Sequence, residues 1–145
     1  ALVEQRPEWQ LTVLDLQLPR YTSSQSVNYV KANITEEKEV TEAVRKASPS
    51  VIVHTAGVVP AGNARYSQAD WERVFNINVS GTKNILAAAR DCNVKALVYT
   101  SSCTVITDDV DTDYPNMSEA LPSGNASLIY GESKVCLTFN FIRND

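Results

Sequence analysis

The chain has 145 residues, 43% of them hydrophobic and 21% charged, a balance that fits one ordinary domain and excludes wholesale disorder. Its formal net charge of −4 argues against nucleic-acid binding, which needs a basic excess to neutralise phosphates. The longest apolar runs, Ile85–Ala89 and Ala96–Tyr99, fall far short of the roughly 20 residues that a membrane-spanning helix needs.

Leu11–Leu16 is a short apolar run stopped by Pro19 and reads as a strand. A Ser/Thr-rich loop, Arg20 to Ser26, leads to a second strand at Val27–Ala32. Thr35-Glu36-Glu37 then opens a helix, a cap residue followed by acids that suit the positive helix end. Val40, Ala43, Val44 and Ala47 recur at helical spacing, and Ser48-Pro49 ends the run. Val51–His54 is a continuous apolar strand, the pattern expected of one buried on both faces of a parallel sheet. A long helical region from about Gln68 to Cys92 is followed by a further buried strand at Ala96–Thr100. A polar loop with acids at Asp108, Asp109, Asp111, Asp113 and Glu119 precedes a last helix, from about Ser127 to Phe141. Alternation of this kind predicts βαβ units in a doubly wound parallel α/β sheet, Rossmann-like in class.

In such a sheet ligands bind at the carboxyl ends of the strands, so the residues just after each strand carry the information. Asp15 closes the first strand, where a carboxylate can accept ribose hydroxyls and disfavours a 2′-phosphate, or can simply serve a turn. Asn33-Ile34 follow the second strand, within reach of an adenine edge or as ordinary residues before a helix. After the third strand, Ala56 and Gly57 are small enough to let a cofactor approach the backbone, while His54 reads as a packed strand-end histidine rather than a base. Asn78 lies in Asn-Ile-Asn-Val-Ser-Gly, a poor helix interior that predicts a kink or a buried polar site. Ser101-Ser102 place hydroxyls at the fourth strand's end. Tyr130 and Lys134 fall one turn apart on one helix face, where an ammonium favours ionisation of a phenol and makes it a usable acid or base. The acidic loop has no convergent His or Cys and reads as a solvated lid, not a metal site.

Taken in order, these features resemble the short-chain dehydrogenase/reductase superfamily, and the long Ser102-to-Tyr130 interval resembles its extended branch. "VIVHTAG", "NVSGTKNILAAARDCNVKALVYTSS" and "YGESK" are most similar to the 3β-hydroxysteroid dehydrogenase family, including its sterol-4-carboxylate 3-dehydrogenase members. The resemblance implies that Tyr130 is the general base toward a secondary hydroxyl. It implies that Lys134 assists Tyr130 and holds the nicotinamide ribose. It makes Ser102, ahead of Ser101, the hydrogen-bond donor to the reacting oxygen, and Asn78 the helix-kink asparagine that supports a relay water. Asp15, Asn33, Ile34, Ala56, Gly57 and Lys134 would line the site of NAD, with NADP disfavoured by Asp15. The implied reaction oxidises a secondary alcohol to a ketone, with the 3β-hydroxyl of a steroid or sterol as the substrate. A nucleotide-sugar epimerase or dehydratase, a flavonoid-type reductase, a cofactor-sensing module and an inactive partial chain are the alternatives. Against an epimerase, Cys103-Thr104-Val105-Ile106 replaces the V-Y-G turn common in those enzymes.

The five glycines, Gly57, Gly62, Gly81, Gly124 and Gly131, spell neither G-x-G-x-x-G nor G-x-x-G-x-x-G. The expectation is therefore a partial NAD-binding domain over residues 1–145, without its first strand, glycine-rich loop, C-terminal part or substrate domain. The missing strand would lie between those ending at Asp15 and His54, leaving unpaired edges that make the chain alone aggregation-prone and inactive. Three cysteines without a C-x-x-C pair suit a reducing compartment. The expected setting is the cytoplasmic side, with endoplasmic-reticulum association and a homodimer for a longer protein.

Overall fold

A computed structural model describes residues 2–20, 27–62, 64, 68–107, 109, 111–118, 123 and 125–142, and among them lie four short strands and five α-helices. Asp108, Glu119 and residues 21–26 of the expected loops lie outside the described residues. Helix α1 (Leu2–Gln5) precedes β1 (Leu11–Asp15) and β2 (Val27–Lys31), which pair in parallel with Asp15 opposite Lys31. Helix α2 (Glu37–Ala47) leads to β3 (Val51–His54), which pairs in parallel with β4 (Ala96–Tyr99), His54 opposite Tyr99. Among the described residues β1 pairs only with β2 and β3 only with β4.

The predicted long helix is broken into three. Helix α3 (Trp71–Phe75) passes into a π-turn (Asn76–Ser80) and then α4 (Gly81–Asp91), so the poor helix formers around Asn78 mark a widened turn. Asn93 ends α4 in the left-handed region at φ 55°. There Val94 N–H bonds the Ala89 carbonyl and Asn93 N–H bonds that of Arg90, a paired closure that satisfies the last helical carbonyls. The entry to α2 differs from expectation: Thr35 is not its cap. Instead Asn33 Oδ1 accepts the Thr35 N–H at 3.1 Å, and Glu39 reaches back to accept the Asn33 N–H at 2.8 Å. A 3₁₀ turn (Cys103–Ile106) follows β4, and α5 (Ile129–Ile142) closes the described chain.

Ile34, Val40, Val44, Ile85 and Ala88 form the centre of the core between α2 and α4. Leu14 of β1, Ile52 of β3 and Leu97 of β4 all pack against it, so one layer of helices joins both strand pairs. This corrects the expectation of strands buried on both faces. Burial alternates along β3 and β4: Ile52 and His54 face the helices, while Val51, Val53 and Val98 are 50%, 61% and 54% exposed. The reason is that, among the described residues, α2 and α4 cover one face, and a period of two sends alternate residues to the other.

Ile85→Ala should therefore lower stability by about 2–5 kcal/mol, whereas Val53→Thr should stay within about 0.5 kcal/mol, as measured by urea unfolding. Equal losses would refute one-sided cover.

Candidate active site

The carboxyl ends of β3 and β4 are tied together by one residue. The His54 carbonyl accepts both the Thr100 N–H at 3.1 Å and the Thr100 hydroxyl at 3.2 Å. The Thr100 carbonyl in turn accepts Lys134 Nζ at 3.0 Å, so the ammonium is anchored on the sheet edge from α5. Lys134 is only 4% exposed, and burial pushes its ammonium below the usual lysine range. Its Nζ stands 4.7 Å from the Tyr99 ring centre and 5.6 Å from that of Tyr130, two aromatic faces that offset part of the desolvation of the charge. Burial, and then Tyr130 beside it, raise the Tyr99 phenol above its ordinary value, so Tyr99 stays protonated. Tyr130 is half-buried at the start of α5.

Asn78, 1% exposed, is held from three sides. Its Oδ1 accepts the Val58 N–H at 2.8 Å, and its Nδ2 donates to the Val58 carbonyl and to Ser133 Oγ, each at 3.0 Å. Ser133, fully buried, donates to the Tyr130 carbonyl at 2.7 Å. The side chain thus fastens the loop after β3 to the helix carrying Tyr130. Its main-chain carbonyl accepts the Thr82 hydroxyl at 2.6 Å. Gly57 lies against this cluster: a Cβ there would come 3.2 Å from Asn78 Oδ1 and 3.6 Å from Lys134 Nζ.

Ser102 caps the 3₁₀ turn. Its Oγ accepts the Thr104 N–H at 3.2 Å and the Thr104 hydroxyl at 2.9 Å, which leaves its own hydrogen as the group it can offer. Helix α5 approaches this turn through Gly131, where a Cβ would lie 2.4 Å from the Thr104 carbonyl oxygen. Ser101 is exposed.

The residues expected to bind the adenosine end sit on the other strand pair. Asp15 is exposed, and its Oδ1 accepts the Gln17 N–H at 3.0 Å. Asn33 spends its Oδ1 on the loop, and the Ile34 side chain is buried in the core with its carbonyl held by Asn84 Nδ2 at 2.9 Å. Ala56 is exposed beside Gly57. The structure therefore gathers Gly57, Asn78, Tyr130 and Lys134 into one site, packs the turn capped by Ser102 against it, and leaves Asp15, Asn33 and Ile34 at a second edge. Thr82, Tyr99, Thr100 and Ser133 were missed from sequence. Thr82 lies four residues after Asn78 and Ser133 lies inside the Tyr130–Lys134 interval, spacings that could have flagged both.

His54 is 4% exposed, with Nε2 2.8 Å from Thr82 Oγ1 and its ring 5.7 Å from Tyr99, which agrees with a packed strand-end histidine. Burial, and then the Lys134 ammonium, bring its imidazole down to about 4.

Parallel strands with helical crossovers and polar groups gathered at the strands' carboxyl ends define the doubly wound, Rossmann-like class. The Bordetella bronchiseptica enzyme WbmG, solved in complex with NAD and UDP, has the same fold at TM-score 0.79 and 19% identity, over 99% of this chain and 45% of that one. Residues 1–136 match the 3-beta hydroxysteroid dehydrogenase/isomerase family, and the chain belongs to it. It is 36% identical over 112 residues to the decarboxylating sterol-4-alpha-carboxylate 3-dehydrogenase of Candida albicans, covering 72% of this chain and 30% of that protein. It is also 30% identical over 112 residues to the UDP-glucose 4-epimerase of Mus musculus, covering 77% and 30%. The chain thus spans about a third of the length of the curated relatives it matches.

Two outcomes follow from the geometry. Gly131→Ala should cost about 1–3 kcal/mol, because the new methyl meets a carbonyl oxygen of the backbone and not a movable side chain. Denaturant unfolding measures this, and a neutral result would refute the close approach. For His54, the unfolded chain protonates near 6.5 and the folded one near 4, so the unfolded state binds more protons between those values. Stability must then fall as pH is lowered through that window, by at most about 1.4 kcal/mol per pH unit. His54→Gln lacks this titration, so the melting-temperature gap between the two proteins should narrow from pH 7 to pH 4. A constant gap would refute a neutral buried imidazole.

Proposed function

We propose that the protein is an NAD-dependent oxidoreductase that converts a secondary alcohol to a ketone, acting on the 3β-hydroxyl of a steroid or sterol. The observation that carries this reading is the buried Lys134, fixed to the Thr100 carbonyl beside Tyr130 and Gly57. Burying an ammonium costs stability, and a buried lysine anchored beside a phenol at the carboxyl ends of the strands is the kind of group that serves chemistry. Membership in the 3-beta hydroxysteroid dehydrogenase/isomerase family and the likeness to a sterol-4-alpha-carboxylate 3-dehydrogenase support the substrate class.

The residues present fit the cofactor. Gly57 offers bare backbone next to Lys134 Nζ, where an added Cβ would stand only 3.2 Å from Asn78 Oδ1. Asp15 offers an exposed carboxylate at the carboxyl end of β1, suited to ribose hydroxyls and hostile to a 2′-phosphate. Bound NAD supplies the acceptor for the hydride that leaves the carbinol carbon. Tyr130 takes the proton from the substrate hydroxyl, with the Lys134 charge on the same helix face. Ser102 gives its hydroxyl hydrogen to the reacting oxygen, since both of its acceptor positions serve Thr104. Asn78 keeps the loop bearing Gly57 fixed to α5, so cofactor-side and proton-side groups keep their spacing.

A second reading, oxidation of a nucleotide sugar, is favoured by the 30% identity to a UDP-glucose 4-epimerase. The two are separated by following NADH formation or epimer production with 3β-hydroxysteroids and with UDP-sugars. Tyr130→Phe should lower turnover by a factor of about 10² or more while leaving NAD affinity within a few-fold. Unchanged turnover in that variant removes Tyr130 from the chemistry.

A further inference from the structure

We propose that His54 is a positioning residue of this site: as the Nε2–H tautomer it holds Thr82, and through Thr82 the π-turn that delivers Asn78 to Val58 and Ser133. The inference rests on the reading of this cluster as the active site, but its geometry stands without a cofactor. Thr82 has one hydroxyl hydrogen, and the 2.6 Å contact with the Asn78 carbonyl uses it. At 2.8 Å from His54 Nε2, the Thr82 oxygen can then only accept, so the proton on the imidazole must be on Nε2. The directions of the hydrogen bonds fix the tautomer.

This matters because a π-turn is a costly piece of helix that persists only where its surroundings impose it. A threonine hydroxyl bonded to the carbonyl four residues earlier widens or bends a helix, and here that hydroxyl is itself oriented by His54 from the adjacent strand. The same turn presents the Asn78 amide to Val58 on one side and to Ser133 on the other. His54 also grips the site from its main chain, through the Thr100 that carries Lys134. The titratable groups facing the imidazole are Tyr99 from β4 and Lys134 from α5, while Thr82 and Asn78, across from it on the helix, are neutral. Neither titratable neighbour stabilises an imidazolium, so the neutral tautomer persists across the physiological range.

His54 is the single histidine in the sequence, so its imidazole nitrogens can be read by ¹⁵N NMR of the full chain without assignment. The expected spectrum shows protonated Nε2 and bare Nδ1, unchanged from pH 8 to pH 5. In Thr82→Val the ring should shift toward a tautomer mixture, and the Asn78 side-chain amide hydrogens should exchange at least tenfold faster. Thr82→Ser, which keeps the hydroxyl, should restore both signals. An Nδ1–H or mixed tautomer in the unmutated protein overturns the proposal, a result that does not depend on any variant folding. So does a Thr82→Val protein in which the imidazole and the Asn78 amide are unmoved. NAD titration of the unmutated protein tests the oxidoreductase reading alone, so the failure of one is distinguishable from the failure of the other.

Discussion

The arrangement of the site depends on one buried amide. Asn78 is buried, and both of its amide hydrogens and one position on its oxygen meet fixed partners: Val58 carbonyl, Ser133 hydroxyl and Val58 N–H. A buried amide with unmatched groups would cost about 1–3 kcal/mol for each one, so the partners cannot drift without penalty. That obligation joins a loop, a helix turn and a second helix that are far apart in sequence. No apolar side chain of similar size could do the same, because packing is indifferent to small rotations and hydrogen bonds are not.

The constraint also explains two unfavourable local features. The π-turn at Asn76–Ser80 gives up regular helix geometry, and in return the asparagine reaches both neighbours. The absence of side chains at Gly57 and Gly131 gives up chain rigidity, and in return backbone lies close to Asn78 and, at Gly131, against the Thr104 carbonyl at a distance a methyl group would forbid. Locally poor choices thus gather around one buried polar cluster, the kind of place where local rules are expected to yield.

How much of this was legible beforehand depends on whether a feature is local. Strand positions followed from apolar runs, and the break in the long helix followed from Asn, Ser and Gly in its interior, because those signals lie within one turn of chain. The one-sided burial of β3 and β4 was not legible. A run such as Val-Ile-Val-His looks the same whether one face or two are covered, and the cover comes from α2 and α4, elements remote in sequence. The entry to α2 was misread for a related reason. Thr35 is a good cap by type, yet Asn33 and Glu39 already satisfied the nearby donors. Within the site, Tyr130 and Lys134 announced themselves by spacing, but the anchor of the lysine, a main-chain carbonyl at Thr100, carries no residue signature at all.

Helix α4 and its π-turn connect the two strand pairs, and they do so with polar side chains at successive turns. Asn84 holds the Ile34 carbonyl at the end of β2, Thr82 meets His54 at the end of β3, and Asn78 reaches Ser133 on α5. Between them Gly81 lets the Ile34 side chain lie directly on the helix, where a Cβ would stand 2.7 Å from it. Two strand pairs that are not paired with each other among the described residues are thereby referenced to one helix. The spacing between the Asp15 edge and the Lys134 edge is then a property of that helix and the core beneath it. A ligand that touches both edges meets a separation fixed before it arrives, which is the condition for binding without loss of order in the protein.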